Sequence, residues 1–162
     1  MAIKTQGTNI WYVNPQLGEV KEIGCPTGFN PGDGSPNKIE VTCLNERKVK
    51  HYVAGLQDTD DASITINFDP QNESHKGLYD EYNKDVRDEL RFIVGCSDGT
   101  SAPTWDASAN NAKGDWAIPT DRSFLQFDGE LASFPFTFEP DSVVESEITI
   151  TRKGRLQPSF KV

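Results

Sequence analysis

The residue types that most often carry chemistry are few in this chain and widely spaced. The two histidines, His51 and His75, have no second ligand at the spacing that a metal site needs, and we expect both at the surface. Asp58, Asp60 and Asp61 have a spacing close to that of a calcium loop, but the glycine and the distal glutamate of an EF-hand are absent. The sequence therefore predicts neither a metal site nor a cofactor.

The sequence also gives little support for nucleophilic or redox chemistry. Cys25, Cys43 and Cys96 are isolated, with no C-x-x-C pair, so we expect three reduced structural thiols. The Ser-Asp-Gly run at 97–99 is a turn signal, since the G-x-S-x-G pattern of a nucleophile elbow is absent. No phosphate-binding glycine motif occurs, and no carboxylate pair lies in a recognisable glycosidase frame. We predict no catalytic residues and a protein that is not an enzyme.

Composition describes an acidic chain of moderate size. Its 162 residues suit one domain over 1–162. Acidic residues outnumber basic ones by 25 to 16, which disfavours tight binding of nucleic acid because such binding depends on lysine and arginine contacts to phosphate. No run of about eighteen apolar residues predicts a membrane span. The opening residues lack the apolar segment of a signal peptide, so we expect synthesis in the cytoplasm.

Alternation of apolar and polar residues over short runs predicts a mainly β fold. A clear example is "ASITINFD" at 62–69, where Ala62, Ile64 and Ile66 share one face. Within 123–139 the alternation slips by one residue near 132–133, which indicates a β-bulge. Further predicted strands lie at 8–13, 19–24, 38–43, 90–96 and 146–154.

One helix and three long loops complete this prediction. Residues 74–90 have an apolar stripe at helical spacing, with Ser74 as the expected N-cap. The segments 24–37 and 97–115 are predicted as loops from their turn-forming residues. The segment 44–61 is predicted as a loop of about eighteen residues, far longer than the usual 4–6. Such a loop, beside open sheet edges, suggests contact with a second copy.

The order of these segments resembles the tail tube proteins of long-tailed bacteriophages. The resemblance rests on "KIEVTCLNERKVKHYVAGLQDTDDASITINFDP" at 38–70, on the helix and "LRFIV" strand that follow, and on the opening and closing strands. It covers nearly the whole chain, with the weakest match at 97–115. It implies an antiparallel β-sandwich or partial barrel with one flanking helix and long assembly loops. It also implies a structural virion protein whose hexameric rings stack into a tube, the conduit for DNA ejection.

Within this resemblance, the segment 44–61 is the loop that reaches the next ring. Its basic first half and acidic second half would pair with opposite charges there, and its apolar residues would be buried in the contact. The residues expected to make this inter-ring contact are Arg47, Lys48, Lys50, Tyr52, Val53, Leu56, Asp58, Asp60 and Asp61.

Two polar stripes on predicted strands are candidates for the wall of the channel. A channel that passes DNA without holding it should avoid cationic walls, because each phosphate contact adds affinity. Either stripe could instead be an ordinary solvent-facing row. The candidate residues are Glu145, Glu147, Thr149 and Thr151 in one stripe and Gln126, Asp128 and Glu130 in the other.

The resemblance implies protein partners and a place in the virion tail. The expected partners are other copies of the chain and the tape measure, tail-tip and tail terminator proteins, with DNA passing through unbound and no membrane contact. A carbohydrate-binding β-sandwich is the alternative, because Trp105 and Trp116 bracket a loop and could stack on sugars. A third hypothesis is a tube protein of a contractile system, although no sheath-binding surface is recognisable.

Overall fold

Strands account for most of the regular structure, as the alternating sequence predicts. The structure is a computed structural model that describes residues 2–162. The helix is α1 (Glu73–Asn83), and the short segment α2 (Ala109–Ala112) is a turn with left-handed backbone angles. The strands are β1 (Asn9–Val13), β2 (Val20–Glu22), β3 (Pro26–Asn30), β4 (Gly34–Glu40), β5 (Tyr52–Thr59), β6 (Ala62–Asn67), β7 (Leu90–Gly95), β8 (Thr104–Asp106), β9 (Asp115–Ala117), β10 (Phe124–Ser133), β11 (Glu145–Arg152) and β12 (Gln157–Ser159).

Eight strands form the main sheet, which is antiparallel throughout. Its order is β2-β1-β7-β10-β11-β6-β3, and β12 pairs with the first part of β10. β4 and β5 pair only with each other, and so do β8 and β9. Over residues 2–162 the sheets are open and no barrel closes, so that the edge strands β2 and β3 each keep one unpaired side. The predicted mainly β, antiparallel fold with a flanking helix is confirmed.

The main sheet is apolar on the face that α1 covers. Alternate residues of its strands meet there, and the rings of Phe92 and Phe127 stack with centroids 5.2 Å apart. Leu78 of α1 is fully buried against this layer. The buried residues of this core are Ile10, Tyr12, Ile23, Ala62, Ile64, Ile66, Leu78, Leu90, Phe92, Val94, Phe127, Leu131, Phe134, Ile148 and Ile150.

The helix α1 is shorter than predicted and has a different N-cap. The side chain of Asn72 accepts the hydrogen bond from the backbone N–H of Ser74, so that Asn72 rather than Ser74 caps the helix. The helix ends at Asn83, and Val86 of the predicted apolar stripe is 82% exposed. The segment 84–89 has five charged residues and one apolar residue, and it therefore has no face to bury.

The predicted irregularity in β10 is confirmed. Leu131 pairs with Ile150, whereas Ser133 pairs with Thr149, so that one extra residue is inserted between the two pairs. Pro135 lies just beyond the end of the strand, where it removes no hydrogen bond from the ladder.

The prediction of a continuous loop over 24–37 is wrong. β3 and the first four residues of β4 lie in this segment despite its glycines and prolines. Pro26 is the first residue of an edge strand, and Pro36 lies beside a register shift between β4 and β5. Strand starts, edges and bulges are the places where a sheet tolerates a missing N–H.

The prediction of a continuous loop over 97–115 is wrong in part, because a small hairpin of β8 and β9 begins in this segment and ends at Ala117. Asn110 and Asn111 between these strands have φ of 52° and 56°, in the left-handed region that asparagine tolerates better than most residues. The hairpin covers a second apolar cluster, on the face of the main sheet opposite to α1. The buried members of this cluster are Trp11, Val13, Ile93, Trp116 and Phe124.

Arg122 joins these parts from a fully buried position. Its guanidinium lies over the ring of Trp11, 5.3 Å from the centroid. Nε, Nη1 and Nη2 all donate to oxygen atoms, so the charge is held by dipoles rather than by a carboxylate. The acceptors are the backbone carbonyls of Gly7, Gly95, Cys96 and Ser101 and the side-chain oxygen of Asn9.

We expect Arg122→Ala to lower the free energy of unfolding by about 3 kcal/mol or more. Several buried carbonyls would lose their donor, at about 1–3 kcal/mol each. Urea unfolding measures the loss. Arg47→Ala is the matched control, because that side chain is exposed and should change stability by less than about 0.5 kcal/mol. Equal losses in the two variants would contradict the role of Arg122 as an anchor.

Candidate assembly surfaces

The hairpin of β4 and β5 is separate from the main sheet, and we refer to residues 34–59 as the arm. Its strands pair from Gly34 and Thr59 out to Glu40 and Tyr52. The connections at 31–33 and 60–61 join it to β3 and β6. The prediction of a loop over 44–61 is therefore wrong in its second half, because most of that half is strand β5.

The arm exposes apolar side chains on both faces and at its tip. Ile39 pairs with Val53, so these two share one face, whereas Tyr52, the neighbour of Val53 along β5, lies on the other. Leu56 is 88% exposed, and Leu44 at the tip is fully exposed. Scattered apolar residues are ordinary on a surface, but this concentration on one hairpin indicates a contact surface. The exposed apolar residues of the arm are Ile39, Val41, Leu44, Val49, Tyr52, Val53 and Leu56.

The structure separates the charges of the predicted inter-ring segment along the arm. The basic residues of the predicted set lie in the turn at the tip, which spans 41–51, and the acidic residues of the set lie at the root beside the main sheet. The predicted set is therefore one continuous projection, not one cluster. Its basic members are Arg47, Lys48 and Lys50, and its acidic members are Asp58, Asp60 and Asp61.

The tip of the arm carries cations that have no acidic partner in the described chain. Lys50 Nζ lies 3.8 Å from Glu40 Oε2, but no carboxylate of residues 2–162 lies within ion-pair distance of Arg47 or Lys48. The backbone N–H groups of Arg47 and Lys48 donate to Glu46, which lowers the pKa of that carboxyl. Both side chains therefore remain available to another molecule.

The two polar stripes predicted for the channel wall share one face of the main sheet. Glu130 on β10 pairs directly with Thr151 on β11, and directly paired residues point to the same side. β6 extends the surface, because Thr65 pairs with Glu147. We call this surface, on the side opposite to α1, the polar face. Its residues are Ser63, Thr65, Gln126, Asp128, Glu130, Glu145, Glu147, Thr149 and Thr151.

The acids on the β10 half of the polar face are ion-paired. Asp128 Oδ1 lies 3.0 Å from Arg91 Nε, and Glu130 Oε1 lies 2.6 Å from Lys153 Nζ. Burial raises the pKa of Asp128, and the Arg91 cation opposes this shift without cancelling it. The negative charge of this half is therefore largely compensated within the subunit.

The acids on the β11 half of the polar face are unpaired. Glu145 and Glu147 are exposed, and no lysine or arginine of the described residues lies within ion-pair distance of either. The side chains that pair with them on β6 are the amide of Asn67 and the hydroxyl of Thr65 rather than cations. The negative potential of the polar face is thus concentrated on β11.

The tryptophans considered for sugar binding fill the second apolar cluster instead. Trp116 is 7% exposed, and Trp105 packs edge to face against it with ring centroids 5.4 Å apart. The guanidinium of Arg91 lies 5.7 Å from the centroid of the Trp105 ring. Because these rings are engaged within the subunit, the carbohydrate-binding alternative loses the feature that suggested it.

His75 is buried, and the prediction of a surface histidine is wrong. Its Nδ1 accepts a hydrogen bond from the Asp69 N–H at 3.0 Å, and its Nε2 lies 2.6 Å from the Gly24 carbonyl oxygen. This pattern requires the neutral tautomer with the proton on Nε2. The ring therefore ties the start of α1 to the turn before β3. His51 is exposed, as predicted.

The side chains of residues 2–162 form no metal site. Within 2–162, no three histidine, cysteine or acidic side chains are grouped so that they could hold a metal ion. The cysteines are unpaired, with Cys25 and Cys43 exposed and Cys96 half-buried. None of the helices in this range has the length and apolar content to cross a membrane.

An open sheet with a protruding apolar arm is typical of a subunit that contacts other protein molecules. In sequence, residues 1–162 match the family model described as phage tail tube, TTP, lambda-like. The chain therefore belongs to the lambda-like phage tail tube protein family. It is a structural component of a phage tail and not an enzyme, which confirms the identification made from the order of its segments.

Relatives and solved structures agree with this family. "Structural protein 3" of Pseudomonas phage PAJU2 is 40% identical over 152 residues, which cover 94% of this chain and 90% of that protein. The SPP1 tail tube structure has a TM-score of 0.67 at 10% identity, covering 99% of this chain and 81% of that one. A chain of the anti-feeding prophage baseplate has a TM-score of 0.70 at 5% identity, with 99% and 97% covered. The tail of a GTA particle has a TM-score of 0.60 at 13% identity, with 99% and 100% covered.

We expect Leu56→Ser on the arm to change the free energy of unfolding by less than about 0.5 kcal/mol, because its side chain is exposed. Ile64→Ala in the core is the matched control and should cost about 2–5 kcal/mol. Denaturant unfolding of the unassembled subunit measures both. A large loss for Leu56→Ser would mean that the arm packs against its own sheet.

Proposed function

We propose that the chain acts as a single tail-tube domain over 1–162 and polymerises into stacked hexameric rings, which form the conduit for DNA ejection. The observation that carries this proposal is the arm, whose apolar side chains remain exposed in the subunit. Family membership supports it. Sixfold symmetry is a proposal for this chain, supported by its similarity to chains of the GTA tail, refined with C6 symmetry, and of the sixfold-symmetrised anti-feeding prophage baseplate.

Ring formation would use the open edges of the main sheet. The edge strands β2 and β3 lie at opposite ends of the strand order. If the β3 edge of one subunit meets the β2 edge of its neighbour, the contact is heterologous and closes into a ring when the rotation fits. Pairing of this kind would join the sheets of a ring into one barrel.

Stacking of the rings would use the arm. Burial of Val53 or Leu56 in the next ring would contribute about 1.5–3 kcal/mol each. Exposed ion pairs made by Arg47 or Lys48 would contribute only about 0–1 kcal/mol each. The apolar residues would therefore supply most of the stability, and the charges would help to select the register.

The polar face would line the channel. The opposite face of the main sheet is filled by the core beneath α1, so the polar face is the sheet surface left to face a lumen. The unpaired acids Glu145 and Glu147 would repel the phosphates of passing DNA, which would therefore not be held by the wall. The threonines Thr149 and Thr151 would add neutral, hydrated groups to the same wall.

The proposed partners follow from a place in the tail. Copies of the chain would contact one another within and between rings. Tape measure, tail-tip and tail terminator proteins would meet the tube at its interior and its ends. Synthesis would take place in the host cytoplasm before assembly into the virion.

Shortening the arm should prevent stacking while leaving the subunit folded. Replacement of residues 43–50 by an Asn-Gly turn would join Thr42 to His51, which already pair through the Thr42 side chain. We expect no tubes in negative-stain electron microscopy and no large species in sedimentation, under conditions with tail-tip components in which the unmodified chain forms tubes. Tubes of normal length from the shortened chain would refute the proposed role of the arm.

Cationic substitutions on the polar face should slow DNA release. We expect particles with Glu145→Lys and Glu147→Lys to have tubes of normal diameter but slower DNA release after triggering, and less so as salt rises. The matched control is Asp80→Lys with Asp85→Lys, which makes the same change of charge at exposed positions in and after α1. If the variant released DNA at the same rate as the control, the proposal that the polar face lines the lumen would be contradicted.

A further inference from the structure

The connection between β10 and β11 is a second projection with unpartnered apolar residues. Thr137 and Glu145 form an isolated bridge, and the chain between them turns back beyond it. Phe138 is 76% exposed and Val143 is 57% exposed. Residues 134–147 contain no lysine or arginine. We call residues 136–144 the acidic turn.

The acidic turn and the tip of the arm have complementary composition. The tip presents three exposed large apolar side chains and three cations beside one acid, Glu46, and the acidic turn presents three exposed large apolar side chains and two acids. Lys50 is already paired with Glu40, so two cations of the tip and two acids of the turn remain for a contact. None of these four charged side chains has an opposite charge within ion-pair distance among residues 2–162. Contacts with an apolar centre and opposite charges at the rim are typical of specific protein interfaces. The arm contributes Leu44, Val49, Arg47 and Lys48, and the acidic turn contributes Phe138, Val143, Glu139 and Asp141.

The root of the arm and the acidic turn lie at opposite ends of the strand pair β6 and β11. Glu145, at the end of the acidic turn, pairs with Asn67, whereas Ile150 pairs with Ala62 beside the root of the arm. The extended chain between these pairs spans about 17 Å. The arm therefore leaves the main sheet at the end that is remote from the acidic turn.

We propose that the tip of the arm docks on the acidic turn of a second copy of the chain. This inference rests on the proposed tube and names the surface that receives the arm. Because the tip of the arm and the acidic turn are different surfaces of the chain, the contact is heterologous and repeats from copy to copy. Val49 and Leu44 pack against Phe138 and Val143, while Arg47 and Lys48 face Glu139 and Asp141.

Cysteine cross-linking tests this contact directly. In a chain with Cys25→Ser, Cys43→Ser and Cys96→Ser, the pair Val49→Cys and Val143→Cys should give, on oxidation of assembled tubes, a ladder of dimers, trimers and longer chains. Val49→Cys with Val86→Cys is the matched control, since Val86 is exposed outside the acidic turn. It should give no ladder. A ladder from the control pair, or none from the Val143 pair in intact tubes, would overturn the assignment.

Charge reversal separates this contact from the tube itself. Glu139→Lys with Asp141→Lys should raise the concentration needed for tube assembly about tenfold, since two ion pairs become repulsive. Adding Arg47→Glu and Lys48→Glu should restore assembly to within about threefold of the unmodified chain. Asp80→Lys with Asp85→Lys controls for net charge and should have little effect.

The outcomes show whether the proposed acceptor surface or the proposed function has failed. If the Glu139 and Asp141 variant assembles normally while the shortened arm does not, the acidic turn is not the acceptor, and the tube proposal stands. If the unmodified chain forms neither rings nor tubes with tail-tip components, the proposed function fails. Restoration by the four-residue swap supports the docking of arm tip on acidic turn.

Discussion

The organisation of this molecule depends on apolar side chains that its own chain cannot cover. The arm is a two-stranded hairpin with exposed apolar residues on both faces, and such a hairpin has no core of its own. The main sheet does not supply one, because one of its faces is filled by α1 and part of the other is covered by β8 and β9. The subunit therefore completes its core without the arm, and the arm is left for contact with another molecule.

The face of the main sheet that α1 does not cover has two parts of different character. Arg122 and the tryptophans close the part over β1 and β7, where they bury both an arginine and aromatic rings inside the subunit. The part over β11 keeps exposed acids with no cation nearby. Arg91 and Lys153 on this side of the molecule are paired with Asp128 and Glu130, and Arg122 donates to backbone oxygens. The electrostatic character of the polar face thus follows from where the arginines and lysines are already engaged.

Local patterns in the sequence predicted the parts of the fold that have one buried face. The strands β6 and β11 and the slip near 132–133 are visible because alternation reports burial on one side. The sequence did not predict β5 because both faces of this strand are exposed, so its residues do not alternate between apolar and polar. It did not predict β3 because the strand begins with a proline, which is more typical of loops. The burial of His75 depends on Gly24, far away in sequence. The single face shared by both polar stripes depends on the register of β10 against β11, which no local pattern encodes.

The joint between the arm and the main sheet has a mechanical consequence. Two short stretches, 31–33 and 60–61, connect the two sheets, and a backbone hydrogen bond from Asp60 to Asp33 closes the joint. A tube whose rings are held by such arms would bend at these joints inside each subunit, while the contacts between rings keep their geometry. The flexibility of the tube would then come from these joints rather than from weakened contacts between rings. A long tail could therefore curve without opening a gap in its wall.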